Sequence, residues 1–343
     1  MEEIKEKIDK ETEMKIWRIK QEAKKRAYAL ERGLTMPPNY PDIPVPRSLK
    51  EVAEERFWER ELEKDAPSTG YSDLDKIIKG FVPGHVYTLT GVTNVGKSTI
   101  AANFSVRVAK QGKKVLYFAL EPENTIADYI ASITSGKRFD EVTQDDLERD
   151  DGNIHIFGKE EINSLNDLVK VVEHSERYDL IVIDHIGYFI HSQTNWIQEQ
   201  SAAIKTLAGL AKKKSLAILI IAHLRKRPAG QRRAYVPTSE DIAGSGSFQQ
   251  DSTEVMIITR DMLEGDGVEY SDTGRLYVTK TKAGPNGNII LRFTPFMAKI
   301  ESLGEAIDRK NEIEKEKSGY EKISQENMIK SFDDVAKEID EKF

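Results

Sequence analysis

Seven short apolar runs organise this chain: Val86–Leu89, Val115–Leu120, Leu180–Ile183, Leu216–Ala222, Val255–Thr259, Leu276–Thr279 and Ile289–Phe293. The first four are separated by segments long enough to hold a helix. Runs that are apolar throughout, rather than alternating with polar residues, predict strands buried on both faces of a mostly parallel sheet with helical crossovers. The last three have shorter, glycine-containing connections and predict antiparallel hairpins at one edge. An α/β domain over residues 66–303 accommodates all seven.

On either side of that domain the pattern changes. Residues 1–35 are dense in Glu, Lys and Arg, with apolar positions at Ile4, Ile8, Ile16, Ile19, Ala23, Ala27 and Leu30. This spacing predicts a charged helix with a narrow apolar stripe, either solvated or packed on another surface such as a neighbouring subunit. Residues 36–47 hold five of the chain's 12 prolines and read as an extended linker. Residues 48–65 predict a second, linking helix that stops at the break Pro67-Ser68-Thr69-Gly70. Residues 304–343 return to a charged, acidic composition, which predicts a mobile tail.

Composition narrows the functional classes. A length of 343 residues suggests about two folded units, with room for a substantial core in at least one, given about 150 residues per domain. With 38% hydrophobic and 32% charged residues and no membrane-length apolar stretch, the chain reads as soluble, without a membrane partner. The N-terminus alternates acid and base and has no apolar segment of the secretory kind, so the expected compartment is the cytoplasm, in a cell or a phage-infected host. The absence of cysteine excludes disulfides, thiol nucleophiles, zinc ribbons and iron–sulfur clusters. A net charge of −7 argues against coating nucleic acid with the whole surface, but leaves room for a local basic patch.

Chemistry concentrates where strands end. Gly91, Val92, Thr93, Asn94, Val95, Gly96, Lys97 and Ser98 fit the pattern G-x-x-x-x-G-K-[ST], with an apolar strand before it and a helix from Thr99 after it. Glycines there let successive backbone N–H groups face phosphates, and the helix N-terminus adds partial positive charge. Lys97 is expected to reach the β- and γ-phosphates and Ser98 to ligate Mg²⁺, so ATP or another nucleoside triphosphate with Mg²⁺ is the expected cofactor pair. Asp184 ends the apolar strand Leu180–Ile183 and is the expected carboxylate for the metal's shell. Glu121 follows Leu120 at another strand end and is the favoured carboxylate for activating water, with Glu123 as its competitor. His223 ends a third strand, placed to contact a γ-phosphate and report its loss.

A basic segment follows at once. Arg225, Lys226, Arg227, Arg232 and Arg233 put five positive charges into nine residues, suited to gripping a polyanion through its phosphates. Gly244, Ser245, Gly246 and Ser247 then supply small residues for close approach of a phosphate backbone. Lys280 and Lys282 bracket Thr281 in a tight loop, on the same side of an extended chain. Far from the phosphate loop in sequence, they are candidates for a charge-stabilising finger on a nucleotide held by an adjacent subunit.

In this order the motifs resemble the RecA-like motor domain of the DnaB-like hexameric replicative helicases, including the helicase half of phage primase-helicases and of the Twinkle type. The resemblance runs from Thr69-Gly70-Tyr71-Ser72-Asp73-Leu74-Asp75 to Lys280-Thr281-Lys282-Ala283-Gly284-Pro285. It implies a RecA-like P-loop NTPase fold. By resemblance Glu121 is the catalytic base, His223 the γ-phosphate sensor, and the segment from about Arg225 to Ser247 the loop lining a DNA channel. Lys282 takes the place of the trans-acting finger. The family usually has arginine there; lysine keeps the charge and loses the bidentate fork.

The resemblance further implies a homo-hexamer that translocates on single-stranded DNA, with primase, loader or polymerase partners. A fused primase is not expected, for want of room and of cysteine, and residues 1–64 are expected to dock on a neighbouring protomer. The acidic C-terminus, ending in Phe343, resembles tails that dock polymerases, against the simpler reading of a solubilising tail. Two other functions stay open at this point: an ATP-dependent DNA-binding filament or strand-exchange protein of the RecA or RadA kind, and a regulatory RecA-like ATPase without unwinding activity.

Overall fold

The computed structural model describes residues 48–120, 123–147, 152–192, 194–223, 248, 250–262 and 270–307. The chain divides into two compact units, residues 1–65 and 66–343. The described part of the first is a single helix, α1 (Leu49–Lys64), in which Arg56 pairs with Glu63 at 2.9 Å. Leu49, Val52 and Phe57 on this helix are exposed.

The second unit is built on a nine-stranded sheet. Its strands are β1 (Val86–Gly91), β2 (Val115–Ala119), β3 (Ile154–Gly158), β4 (Leu180–Asp184), β5 (Ala217–His223), β6 (Glu254–Met262), β7 (Tyr270–Lys280), β8 (Gly287–Thr294) and β9 (Lys299–Ser302). Their spatial order is β3-β2-β4-β5-β1-β6-β7-β8-β9. The first six in that order are mutually parallel, and β7, β8 and β9 continue antiparallel.

Helices cover both faces. On one lie α2 (Ser72–Ile78), α3 (Lys97–Ala109) and α4 (Glu123–Ser135), whose Leu74, Ile100, Phe104 and Ile126 join Leu89, Tyr117, Val182 and Met256 in one core. On the other, α6 (Leu165–His174) and α7 (Trp196–Lys214) bury Leu168, Val172, Ile204 and Leu207 against Leu116, Ile181 and Ile218. The short α5 (Gln144–Leu147) follows α4. Because both faces are covered, β1, β2 and β4 are buried at every position, which is why their sequences are apolar without alternation.

Three features differ from the sequence reading. The run Val255–Thr259 pairs parallel with β1 as well as antiparallel with β7, so it completes the parallel set rather than standing wholly in the edge hairpins. Strands β3 and β9 had no apolar run to announce them. Both are sheet edges, and β3 is only partly buried, so a polar His155 is tolerated within it. The packed region also continues past residue 303. Gly304 donates its N–H to Asp73 at 3.2 Å, and Glu305 receives two hydrogen bonds from Arg107 at 2.8 and 3.0 Å.

Candidate functional site

The parallel register brings the candidate residues to one edge of the sheet. Gly91 stands opposite His223 across β1 and β5, and Ala119 opposite Asp184 across β2 and β4. The carboxyl ends of four neighbouring strands therefore meet where an α/β sheet collects its ligands.

Gly91, Val92, Thr93, Asn94, Val95 and Gly96 form the turn from β1 into α3, and Lys97, Ser98 and Thr99 are the first helical residues. The helix thus begins two residues before the predicted start at Thr99, so its N-terminal dipole lies directly on the loop. Asn94 and Gly96 take positive φ, of 61° and 102°. A Cβ at Gly96 would also lie 3.1 Å from the Phe293 ring. At Gly91 a Cβ would lie 2.7 Å from the Ile258 carbonyl oxygen, so the spacing of the two glycines has a steric origin. Lys97 is almost fully buried, and its Nζ donates to the carbonyls of Gly91 and Val92 at 3.2 and 3.0 Å. Those carbonyls belong to the last residue of β1 and the first of the loop, so the ammonium is held against the start of the loop.

Asp184 is 3% exposed and accepts a hydrogen bond from the Tyr117 hydroxyl at 2.8 Å. Tyr117 and Asp184 reach each other because β2 and β4 align Ala119 with Asp184, two positions beyond Tyr117 on the same face. Ser98 and Asp184 offer a hydroxyl and a carboxylate, hard oxygen donors that suit Mg²⁺. The described residues contain no group of three or more His, Cys, Asp or Glu able to hold a metal by themselves.

The His223 ring packs edge-on against His185, with centroids 4.4 Å apart. Beside the phosphate loop stands a wall that sequence reading missed. The Tyr270 hydroxyl donates to the Thr93 carbonyl at 3.3 Å, and the Arg260 guanidinium lies 4.4 Å over the Phe293 ring. Burial lowers the pKa of Arg260 and raises that of Tyr270. Residue types alone did not mark Tyr117, Arg260 or Tyr270, because the partner that each meets here is distant in sequence.

Lys280 and Lys282 lie elsewhere. Lys280 stands opposite Val255, at the amino end of β6, and β6 runs parallel to β1; the pair is therefore at the sheet edge opposite this chain's own phosphate loop. Lys282 is exposed, whereas Lys280 is partly buried and its Nζ donates to the Ser252 carbonyl at 2.6 Å. Glu121, Arg225, Lys226, Arg227, Arg232, Arg233, Gly244, Ser245, Gly246 and Ser247 lie outside the described residues.

Residues 67–302 match the family of the DnaB-like helicase C-terminal domain. The chain belongs to this family. It is 26% identical over 263 residues to the replicative DNA helicase DnaB of Buchnera aphidicola subsp. Baizongia pistaciae, covering 70% of this chain and 56% of the relative. With the DnaB of Haemophilus influenzae it shares 26% identity over 263 residues, covering 69% of this chain and 55% of the relative. The chain thus spans a little over half the length of the curated relatives it matches. A solved DnaB-like replicative helicase, studied with its interactions with primase, superposes with a TM-score of 0.61 at 17% identity, over 75% of this chain and 67% of that one. A solved ATPase domain superposes with a TM-score of 0.61 at 17% identity, over 76% of this chain and the whole of that domain. These likenesses establish a RecA-like fold with a mostly parallel sheet and antiparallel edge strands. Among the described residues no helix is long and apolar enough to cross a membrane.

Proposed function

We propose that this chain is the motor of an ATP-driven replicative DNA helicase, working as a homo-hexameric ring on single-stranded DNA. The observation that carries the reading is the separation of two sets of charges: Lys97, Asp184 and His223 at one sheet edge, Lys280 and Lys282 at the other. Lysines so placed cannot serve the nucleotide of their own chain. In a head-to-tail ring the same edge faces the next protomer's phosphate loop, as a trans-acting finger requires.

In this reading the loop N–H groups from Gly91 to Ser98 and the Lys97 ammonium receive the triphosphate. Ser98 and Asp184 would hold Mg²⁺, which when bound neutralises charge on the β- and γ-phosphates. Tyr117 orients Asp184, and Glu121 positions the attacking water and accepts its proton. His223 contacts the terminal phosphate, and its loss is passed along the chain to the DNA-contacting residues Arg225, Lys226, Arg227, Arg232 and Arg233 and the Gly244–Ser247 segment. The flat wall of Arg260 and Tyr270 beside the loop is suited to a nucleotide base. Residues 1–64 would dock on the adjacent protomer, and primase, loader or polymerase are the partners that fit such a motor.

A forked-duplex unwinding assay with ATP, run on the wild type and Lys97→Ala alongside particle images, tests the proposal. The expected outcome is ring-shaped particles whose strand separation requires ATP and is lost in Lys97→Ala. Filaments without unwinding would instead favour a strand-exchange protein, and ATP turnover indifferent to single-stranded DNA would favour a regulatory ATPase.

A further inference from the structure

The helix that carries Lys97 and Ser98 at its start is held, at its far end, by the last part of the packed chain. Two polar side chains one turn apart on α3, Asn103 and Arg107, reach β9. Asn103 is 1% exposed and uses its whole amide. Its Nδ2 donates to the carbonyls of Thr99 and Ala298 at 2.8 and 2.7 Å, and its Oδ1 accepts from the Ile300 N–H at 3.1 Å. Arg107 donates to the carbonyls of Gly70 and Ile300 at 2.8 and 3.0 Å and lies 4.2 Å over the Tyr71 ring. Tyr71 in turn donates its hydroxyl to the Ile300 carbonyl at 3.0 Å. Because β9 is an edge strand, side chains take the place of the next strand for both backbone groups of Ile300.

Beyond β9 the chain closes over the same helix. The Ser302 hydroxyl donates to Asp73 at 2.7 Å and accepts the Glu305 N–H at 3.1 Å, while the Gly304 N–H donates to Asp73. Residues 303–307 therefore start a helical turn whose first donors are satisfied. That turn brings Glu305 to Arg107, which donates to both of its carboxylate oxygens. The contact is bidentate and the two side chains are only 17% and 25% exposed, so it holds position better than an open surface pair. Two glycines make room for it. A Cβ at Gly70, where φ is 80°, would lie 2.6 Å from the Arg107 side chain, and one at Gly304 would lie 2.7 Å from Asp73.

We propose that Arg107 is a positioning residue for the phosphate loop, and that residues 302–305 are the clasp that holds it in place. α3 is a continuous helix of 13 residues, so fixing its far end sets the direction of its start, where Lys97 and Ser98 meet the loop. Phe293, which stands opposite Ile300 in the β8–β9 ladder, backs Gly96 at the other end. Strands β8 and β9 thus support both ends of the helix. Releasing Glu305 removes no group of the loop itself, but lets the start of the helix shift, and a small misplacement there weakens the grip on a triphosphate. That consequence rests on the reading of the loop as a triphosphate site; the clasp itself does not.

Glu305→Ala in the full chain tests both parts. Glu305 is partly exposed and alanine suits a helical turn, so the fold is expected to persist. Hydrogen exchange is first measured without nucleotide. The peptide over residues 96–104, in which the Ile100 N–H donates to the Gly96 carbonyl, is expected to exchange several-fold faster than in the wild type. The peptide over residues 165–174, on the other face of the sheet, is expected to keep its rate. In ATP titrations the KM for hydrolysis is expected to rise several-fold with kcat held. Glu305→Gln, which keeps one oxygen acceptor for Arg107, is expected to fall between. Asp146→Asn, which loosens the join of α4 and α5 instead, is expected to keep the wild-type KM. Wild-type exchange over residues 96–104 in Glu305→Ala overturns the proposal. Equal acceleration of both peptides also overturns it, because Glu305 would then be a general stabiliser. So does faster exchange over residues 96–104 with an unchanged KM, because the loop would not depend on the far end of its helix. If the wild type neither binds nor hydrolyses ATP, the triphosphate reading fails, while the exchange rates still decide whether the clasp holds α3.

Discussion

Asp184 sits 3% exposed at the end of β4, and the Tyr117 hydroxyl is the donor that satisfies one of its oxygens. A hydrogen bond to a charged acceptor in so dry a place is worth more than an ordinary one, and its loss leaves that oxygen without this donor. Tyr117→Phe is accordingly expected to lower the unfolding free energy by about 1.5–3 kcal/mol, read from the urea midpoint at constant slope. An unmoved midpoint would show that the hydroxyl contributes nothing. The sequence marked Asp184 as a strand-terminal carboxylate, and the glycine spacing marked Lys97 and Ser98, because these signals lie within a few residues of one another. It was silent on Tyr117, which looks like any aromatic in an apolar run until β2 and β4 are set side by side.

One local device ties α4 to α5. Asp146 accepts hydrogen bonds from Lys137 Nζ at 2.7 Å and from the backbone N–H and hydroxyl of Thr143 at 2.8 and 2.7 Å. The Lys137 ammonium and the Thr143 donors hold its carboxyl well below the ordinary value of 3.8. A carboxyl depressed in the folded state stays ionised where the unfolded chain already takes up a proton. Its stabilisation is therefore complete above about pH 4 and is lost as the pH falls towards the lower, folded value. Asp146→Asn is expected to destabilise the protein at neutral pH and to flatten the acid limb of the stability curve; parallel wild-type and variant curves would show that Asp146 carries none of it. Among the larger pieces, the seven apolar runs all became strands, since continuous burial leaves a local mark. β3 and β9 left none, because an edge strand has a neighbour on one side only.

In the proposed motor the candidate DNA-contacting residues follow β5 directly in sequence, so His223, the proposed contact for a terminal phosphate, and the basic residues after it share one stretch of chain. Neutralising Arg225, Lys226 and Arg227 together is expected to abolish the stimulation of ATP hydrolysis by single-stranded DNA and to spare nucleotide binding. Undiminished stimulation would put the DNA path elsewhere. Motif order along the chain was enough to indicate the α/β class, the phosphate loop and the family, because each depends on residues close together or on runs that burial makes uniformly apolar. Strand order, the parallel pairing of β6 with β1, the Arg260–Phe293 contact and the burial of Glu254 beside His85 were decided only when distant segments met. The physical reason is that hydrogen-bond register and the distance between charges depend on which strands become neighbours, and that choice belongs to the packed sheet as a whole.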